Sequence, residues 1–240
     1  LPPLVLHAFT AGVATPLKEW IAIRPANSLT VLDTHDGIGV IDIGADAQDR
    51  VNLPGLVPDD DIDLLVRQIH TNSGGDSLRA TGAAASNLDL YQVNCTFFDA
   101  LARDELRYLL SRAIQFFLPG IPQVYYVGLL AGGNDMALLS RSGVGRDINR
   151  HHYTRTEIDA ALTRPVVADL MALIRLRNTH PAFQGAFELL PSDAASLDLC
   201  WRNAGAHVRL RVNLATAQHL LSASADVAPG EFRILQVRQD

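Results

Sequence analysis

Between Thr30 and Val40 the chain sets an apolar, β-branched run, Thr30-Val31-Leu32-Asp33, directly before Thr34-His35-Asp36 and the glycines Gly37 and Gly39. A run too apolar to alternate predicts a strand covered on both faces, as in a parallel sheet flanked by helices. Polar groups at the end of such a strand, with glycines turning the backbone immediately afterwards, have the layout of a parallel barrel strand. The C-terminal tip of that strand would present side chains to a substrate. Read alone, Asp33, His35 and Asp36 also fit a plain polar turn after a strand, and the rest of the chain has to decide.

Residues 1–28 read as a strand end followed by helix and loop, punctuated by Pro2, Pro3 and Pro16. Residues 37–58 have no sustained period and read as an irregular excursion. Asp59-Asp60-Asp61 then complements the dipole of a helix whose apolar face is Ile62, Leu65, Val66 and Ile69. Residues 71–87 form a small, glycine-rich loop. A helical stretch from about Thr96 to Phe117 ends at Pro119-Gly120, and Gln123–Leu129 reads as a second buried strand. A further glycine-bearing loop spans 131–155, and Pro165 opens a helix carrying Val166, Leu170, Leu173 and Ile174 inside. After His180-Pro181 the period changes to two, in Leu197–Trp201, His207–Val212 and Phe232–Val237, which predicts antiparallel strands. Tyr125, Tyr126 and Val127 read as strand packing, Phe97, Phe98, Phe116 and Phe117 as a helix face, and Trp201 as the anchor of the terminal β domain.

Composition narrows the function classes. With 240 residues, nearly half apolar and a fifth charged, the chain can build a folded core. A net charge of −6 supplies no basic field for nucleic acid or an anionic membrane, so neither partner is expected. Cys95 and Cys200 stand more than a hundred residues apart in unlike contexts, which argues against a disulfide framework and fits a reducing cytoplasm. The start shows no basic signal-peptide region, and the apolar stretch from Phe116 to Ala131, interrupted by Pro119, Pro122 and Gln123, is too short to span a bilayer. Gly37, Gly39 and Gly44 miss the dinucleotide spacing. No Walker loop, Gly-x-Ser-x-Gly elbow or Cys-x-x-Cys occurs, and the His35-Asp36 pair lacks further ligands at metal-binding spacing. No cofactor or metal is expected.

Three segments together, Thr30–Val40, Gly82–Cys95 and Pro119–Val127, resemble the sucrose phosphorylases, retaining glucosyl-transferring enzymes of the α-amylase superfamily. The resemblance runs from Leu1 to about Phe187. It implies an α/β fold: residues 1–181 as the C-terminal part of a (β/α)8 TIM barrel, with an inserted subdomain at about 37–95, followed by a small antiparallel β domain at 182–240. Two parallel strands cannot close a barrel, because closure links strand number, tilt and stagger. The chain therefore reads as entering mid-domain, with the earlier strands expected upstream.

The implied reaction is sucrose plus phosphate giving α-D-glucose 1-phosphate and D-fructose, by double displacement. Retention needs two carboxyl groups about 5–5.5 Å apart, which the family carries on strands expected upstream. The resemblance implies that Asp36 is a third carboxylate, stabilising the cationic transition state, and that His35 binds the same glucosyl hydroxyls. Arg146, in Gly145-Arg-Asp-Ile-Asn-Arg150, would sit at the 4-hydroxyl end, paired with an upstream carboxylate. Asp89 and Gln92 would bind fructose, while Leu90 and Tyr91 would help to admit phosphate. Asp147, Arg150, His151 and His152 read as scaffold. The weighed alternatives are a sibling phosphorylase for sucrose 6'-phosphate or glucosylglycerate, a hydrolase of the same superfamily, and a non-catalytic carbohydrate-binding fragment. Some relatives are dimers, so a homodimer is a further expectation.

Overall fold

The computed structural model describes residues 1–81, 92–224 and 232–239. Two helices, α1 (Pro2–Ala11) and α2 (Thr15–Ile23), lead into the strand β1 (Leu29–Val31). The expected strand end at the start is a helix instead. Pro2 and Pro3 stand in its first turn, where the missing N–H costs nothing and the fixed φ suits helix entry. Leu4, Val5 and Leu6 are buried consecutively, so no amphipathic period marked α1 in the sequence.

After β1 the chain leaves the sheet through β2 (Ile38–Gly39) and a 3₁₀ turn at Val40–Ile43, then runs without regular structure to α3 (Asp59–Asn72). All three predicted carboxylates lie in the first turn of α3, and Leu65 and Ile69 are buried. The short α4 (Asp76–Ala80) follows, and β3 (Gln92–Val93) pairs antiparallel with β2, Ile38 opposite Val93 and Gly39 opposite Gln92. The excursion thus closes on itself beside the strand that started it.

Helices α5 (Phe97–Ala100) and α6 (Glu105–Phe117) occupy the predicted helical stretch. The Asp104 side chain caps α6 by accepting from the Arg107 N–H, and Tyr108 through Phe117 are all buried. The strand β4 (Ile121–Gln123) then pairs parallel with β1, in the register Leu29–Ile121 to Val31–Gln123. It stops at Gln123: Tyr126–Leu129 form one helical turn, α7, rather than a continuing strand. A short apolar run cannot be assigned by periodicity alone, and here tertiary contacts chose. The Tyr108 hydroxyl donates to the Gly128 carbonyl, which pins the turn over α6.

Helix α8 (Met136–Ser142) and a 3₁₀ turn at Gly145–Asn149 stand within the expected loop region, and α9 (Arg155–Leu162) follows it with a reciprocal cap between Thr154 and Glu157. Pro165 opens α10 (Pro165–Thr179), which packs on α6. The terminal sheet has the order β5 (Ala186–Leu189), β6 (Ser196–Asn203), β7 (Ala206–Asn213), β8 (His219–Ala223), β9 (Val237–Gln239). It is mixed rather than purely antiparallel, because β9 runs parallel to β8. The fully buried Asp169 of α10 accepts from the N–H groups of Arg233, Ile234 and Leu235 at 2.8, 2.8 and 3.1 Å, steering the chain into that edge. Trp201 fixes the sheet to the rest: its indole N–H donates to the Phe117 carbonyl at 2.6 Å, and the Arg177 guanidinium lies over its ring. No helix among the described residues is long and apolar enough to cross a membrane.

Candidate active site

Behind the strand tips lies a buried polar clamp. Gln115 of α6 donates to the carbonyls of Thr30 and Gln123, both at 2.8 Å, so one amide bridges β1 and β4. One turn earlier, Arg112 is fully buried and donates to Asp33 Oδ2 at 2.6 Å, to the Tyr108 hydroxyl and to Gln115 Oε1. Burial disfavours the guanidinium charge, but Asp33 and Tyr108 outweigh that and raise its pKa. The pair leaves no room at Gly128, where a Cβ would meet Asp33 Oδ2 at 1.7 Å and Arg112 Nη2 at 2.0 Å.

In front of this clamp the chain turns at Thr34-His35-Asp36. The Asp36 N–H donates to Thr34 Oγ1 at 3.1 Å, a local turn that fits a threonine two residues earlier. Asp36 is a third exposed and His35 two thirds exposed, with His35 Nε2 lying 3.7 Å from Asp36 Oδ2. Arg146 Nη1 lies 3.0 Å from Asp36 Oδ1, and Arg150 Nη2 lies 3.8 Å from the same oxygen. The Arg146 contact is ionic but off the hydrogen-bond line, so Oδ1 has no hydrogen-bond donor among the described residues. Gly37 then turns the chain against β3; a Cβ there would meet Asn94 Oδ1 at 2.7 Å and the Val93 carbonyl at 3.1 Å.

Asp33, Asp36, Gly37, Gln92, Phe97 and Asn149 are among the residues lining a cavity of about 360 Å³. Asp33 Oδ1, Asp36 Oδ1, Gln92 Oε1 and Asn94 Oδ1 are buried acceptors without a donor among the described residues. A buried acceptor left unpaired costs about 1–3 kcal/mol, and of these four residues Asp33, Asp36 and Gln92 line the cavity. Among those residues no group of three or more His, Cys, Asp and Glu side chains could hold a metal ion.

Of the sequence-predicted residues, the structure brings together His35, Asp36 and Arg146, with Gln92 lining the same cavity as Asp36. Arg146 reaches Asp36 directly, a pairing within the chain that the sequence reading did not foresee. Asp89, Leu90 and Tyr91 lie outside the described residues. Sequence reasoning missed the Asp33–Arg112 pair, gave Asn149 no role and set Arg150 aside as scaffold, although both bond to the Thr34–Asp36 turn. Only the run Gly145–Arg150 as a block signalled them.

No family model matches the chain. Among curated proteins it is 58% identical over 224 residues to a sucrose phosphorylase of Agrobacterium vitis, and 58% over 202 residues to one of Bifidobacterium adolescentis. These matches cover 93% and 84% of this chain but 45% and 40% of the relatives, so the chain spans less than half of their length. A glucosylglycerol phosphorylase of Marinobacter adhaerens is 42% identical over 237 residues, covering 98% of this chain and 47% of the relative. Among solved structures, a sucrose 6F-phosphate phosphorylase from Thermoanaerobacter thermosaccharolyticum superposes with a TM-score of 0.78 at 34% identity, over 93% of this chain and 44% of that one. By sequence and by fold, the chain is similar to the sucrose phosphorylases and their sibling phosphorylases, and it matches the C-terminal part of such a protein.

Proposed function

We propose that this chain is the C-terminal part of a retaining sucrose phosphorylase, turning sucrose and phosphate into α-D-glucose 1-phosphate and D-fructose through a glucosyl-enzyme intermediate. Residues 1–181 would complete its (β/α)8 barrel, with the subdomain at about 37–95 inserted, and 182–240 would be its terminal β domain. The nucleophile and the acid/base carboxyl group would come from the upstream part. The observation that carries this reading is the Asp36 carboxylate, held beside His35 and Arg146 on the cavity that Gln92 also lines. A fixed anion in a water-poor site stabilises a developing oxocarbenium charge. His35 would donate to the glucosyl hydroxyls, and Arg146 would shift from Asp36 to the 4-hydroxyl end as the donor enters. Gln92, with Asp89, would bind the fructosyl unit, and Leu90 and Tyr91 would help to admit phosphate.

The test joins this chain to the upstream part of the Agrobacterium vitis sucrose phosphorylase, in place of the segment it matches. Phosphate-dependent release of fructose from sucrose is expected, well above release from sucrose 6'-phosphate or glucosylglycerate. Turnover of one of those two instead would assign a sibling specificity. Sugar binding without turnover of any donor would favour a carbohydrate-binding role.

A further inference from the structure

We propose that Asn149 and Arg150 are positioning residues that hold His35 and Asp36 in reactive geometry, an inference that rests on the glucosyl-transfer reading above. The strand ladder ends at Val31, so the carbonyls of Thr34, His35 and Asp36 have no sheet partner among the described residues. Backbone acceptors of a half-buried turn need donors, and water alone would leave the turn free to shift. Two adjacent side chains supply all three. Asn149 Nδ2 donates to the Thr34 carbonyl at 2.7 Å and to the Asp36 carbonyl at 3.4 Å, while Arg150 Nε donates to the His35 carbonyl at 2.9 Å.

The clamp is itself held. Asn149 is 3% exposed, and its own carbonyl accepts from the Tyr125 hydroxyl at 3.0 Å. Arg150 is oriented by Asp147, whose Oδ1 lies 3.3 Å from Nη1. The turn that delivers both residues fits tightly against α4: a Cβ on Gly145 would meet the Ala80 carbonyl at 2.2 Å. A preorganised anion is effective only when its supporting groups fix it to within about 0.5 Å. Lysine could keep the charge of Arg150 but has no Nε–H at the depth of the His35 carbonyl, so charge and position can be separated.

The enzyme joined as above is assayed with Asn149→Asp and with Arg150→Lys, each alone and combined with Asp36→Asn. Each single change is expected to lower kcat roughly 10- to 100-fold with sucrose and with α-D-glucose 1-phosphate, with KM within about threefold. In the Asp36→Asn background each should cost at least about threefold less than in the intact enzyme, because the part of the loss that acts through the Asp36 anion is gone and only the part that acts through His35 remains. Losses that persist in full in that background, or that fall on KM alone, would overturn the proposal.

A second arm reads the joined enzyme by hydrogen exchange. Peptides covering residues 34–39 should exchange on the order of tenfold faster in Asn149→Asp, with α6 unchanged. Unchanged exchange at 34–39, or faster exchange throughout, would overturn the positioning role. If the unsubstituted joined enzyme transfers glucose from neither donor, the functional reading falls, and the exchange arm alone decides whether the turn is held by this pair.

Discussion

Arg146 and Asp36 form an ion pair, Nη1 to Oδ1 at 3.0 Å, across two segments separated by more than a hundred residues. The sequence reading had Arg146 answer a carboxylate from upstream; within this chain it answers Asp36. In the proposed mechanism the guanidinium neutralises Asp36 until a sugar takes over one of its partners. Such half-exposed pairs are individually weak, which suits an exchange of partners on binding.

Asp36→Asn in the joined enzyme keeps the shape of the side chain and removes its anion. The turnover number should fall on the order of 10²–10³-fold, the scale of losing one preorganised electrostatic group. Donor KM should change far less. Steady-state kinetics with both donors check this, and near-normal turnover would remove Asp36 from the transition-state role.

Gln92→Ala deletes a buried acceptor that has no donor among the described residues and lines the cavity with Asp36. If Gln92 binds fructose, losing that hydrogen bond should weaken cleavage of sucrose, and synthesis with fructose as acceptor, by about two- to tenfold, from roughly 0.5–1.5 kcal/mol. Hydrolysis of α-D-glucose 1-phosphate needs no fructose and should be nearly unaffected. Equal losses in both assays would move Gln92 to the donor side or the scaffold.

Gly128→Ala forces a methyl group into the Asp33–Arg112 contact, where the nearest atoms lie 1.7 and 2.0 Å from the new carbon. Separating a buried ion pair leaves each charge without its partner and costs about 3–5 kcal/mol. Urea denaturation of the chain should show a loss of that size. Gly143→Ala is the comparison: its Cβ would meet nothing within 4 Å, but its φ of 68° is strained for alanine, so a loss of about 1 kcal/mol is expected.

Burial holds the His7 imidazole below its ordinary pKa of 6.5, with Asp61, 3.6 Å away, opposing the shift. The unfolded chain therefore takes up a proton near pH 6.5 that the folded chain resists. Stability should be lost as pH falls through 6.5, levelling off once the folded-state pKa is passed. Burial lowers His70 in the same sense. His7→Leu should flatten the slope of unfolding free energy between about pH 6.5 and 5 without abolishing it, as measured by urea titrations across that range. An unaltered slope would mean that other groups carry the dependence.

The sequence by itself determined the elements whose signals are local. The carboxylates at Asp59–Asp61, the stop at Pro119-Gly120, Pro165, and the change to period two after His180 each act within a few residues, and α3, the end of α6, α10 and strands β6 and β7 follow. The run from Thr30 to Gly39 likewise marked His35 and Asp36 as a strand-tip pair. Only the tertiary structure decided what depends on distant partners. Tyr126–Leu129 turn into a helix because α6 presents Tyr108 to the Gly128 carbonyl. The terminal sheet is mixed because the buried Asp169 collects the backbone of 233–235. Arg146 meets Asp36, and Asn149 and Arg150 hold the three carbonyls before them, because the chain returns to the same strand tip after more than a hundred residues. Periodicity and turn chemistry are short-range, whereas partners for buried polar groups can come from any part of the chain that the fold brings near.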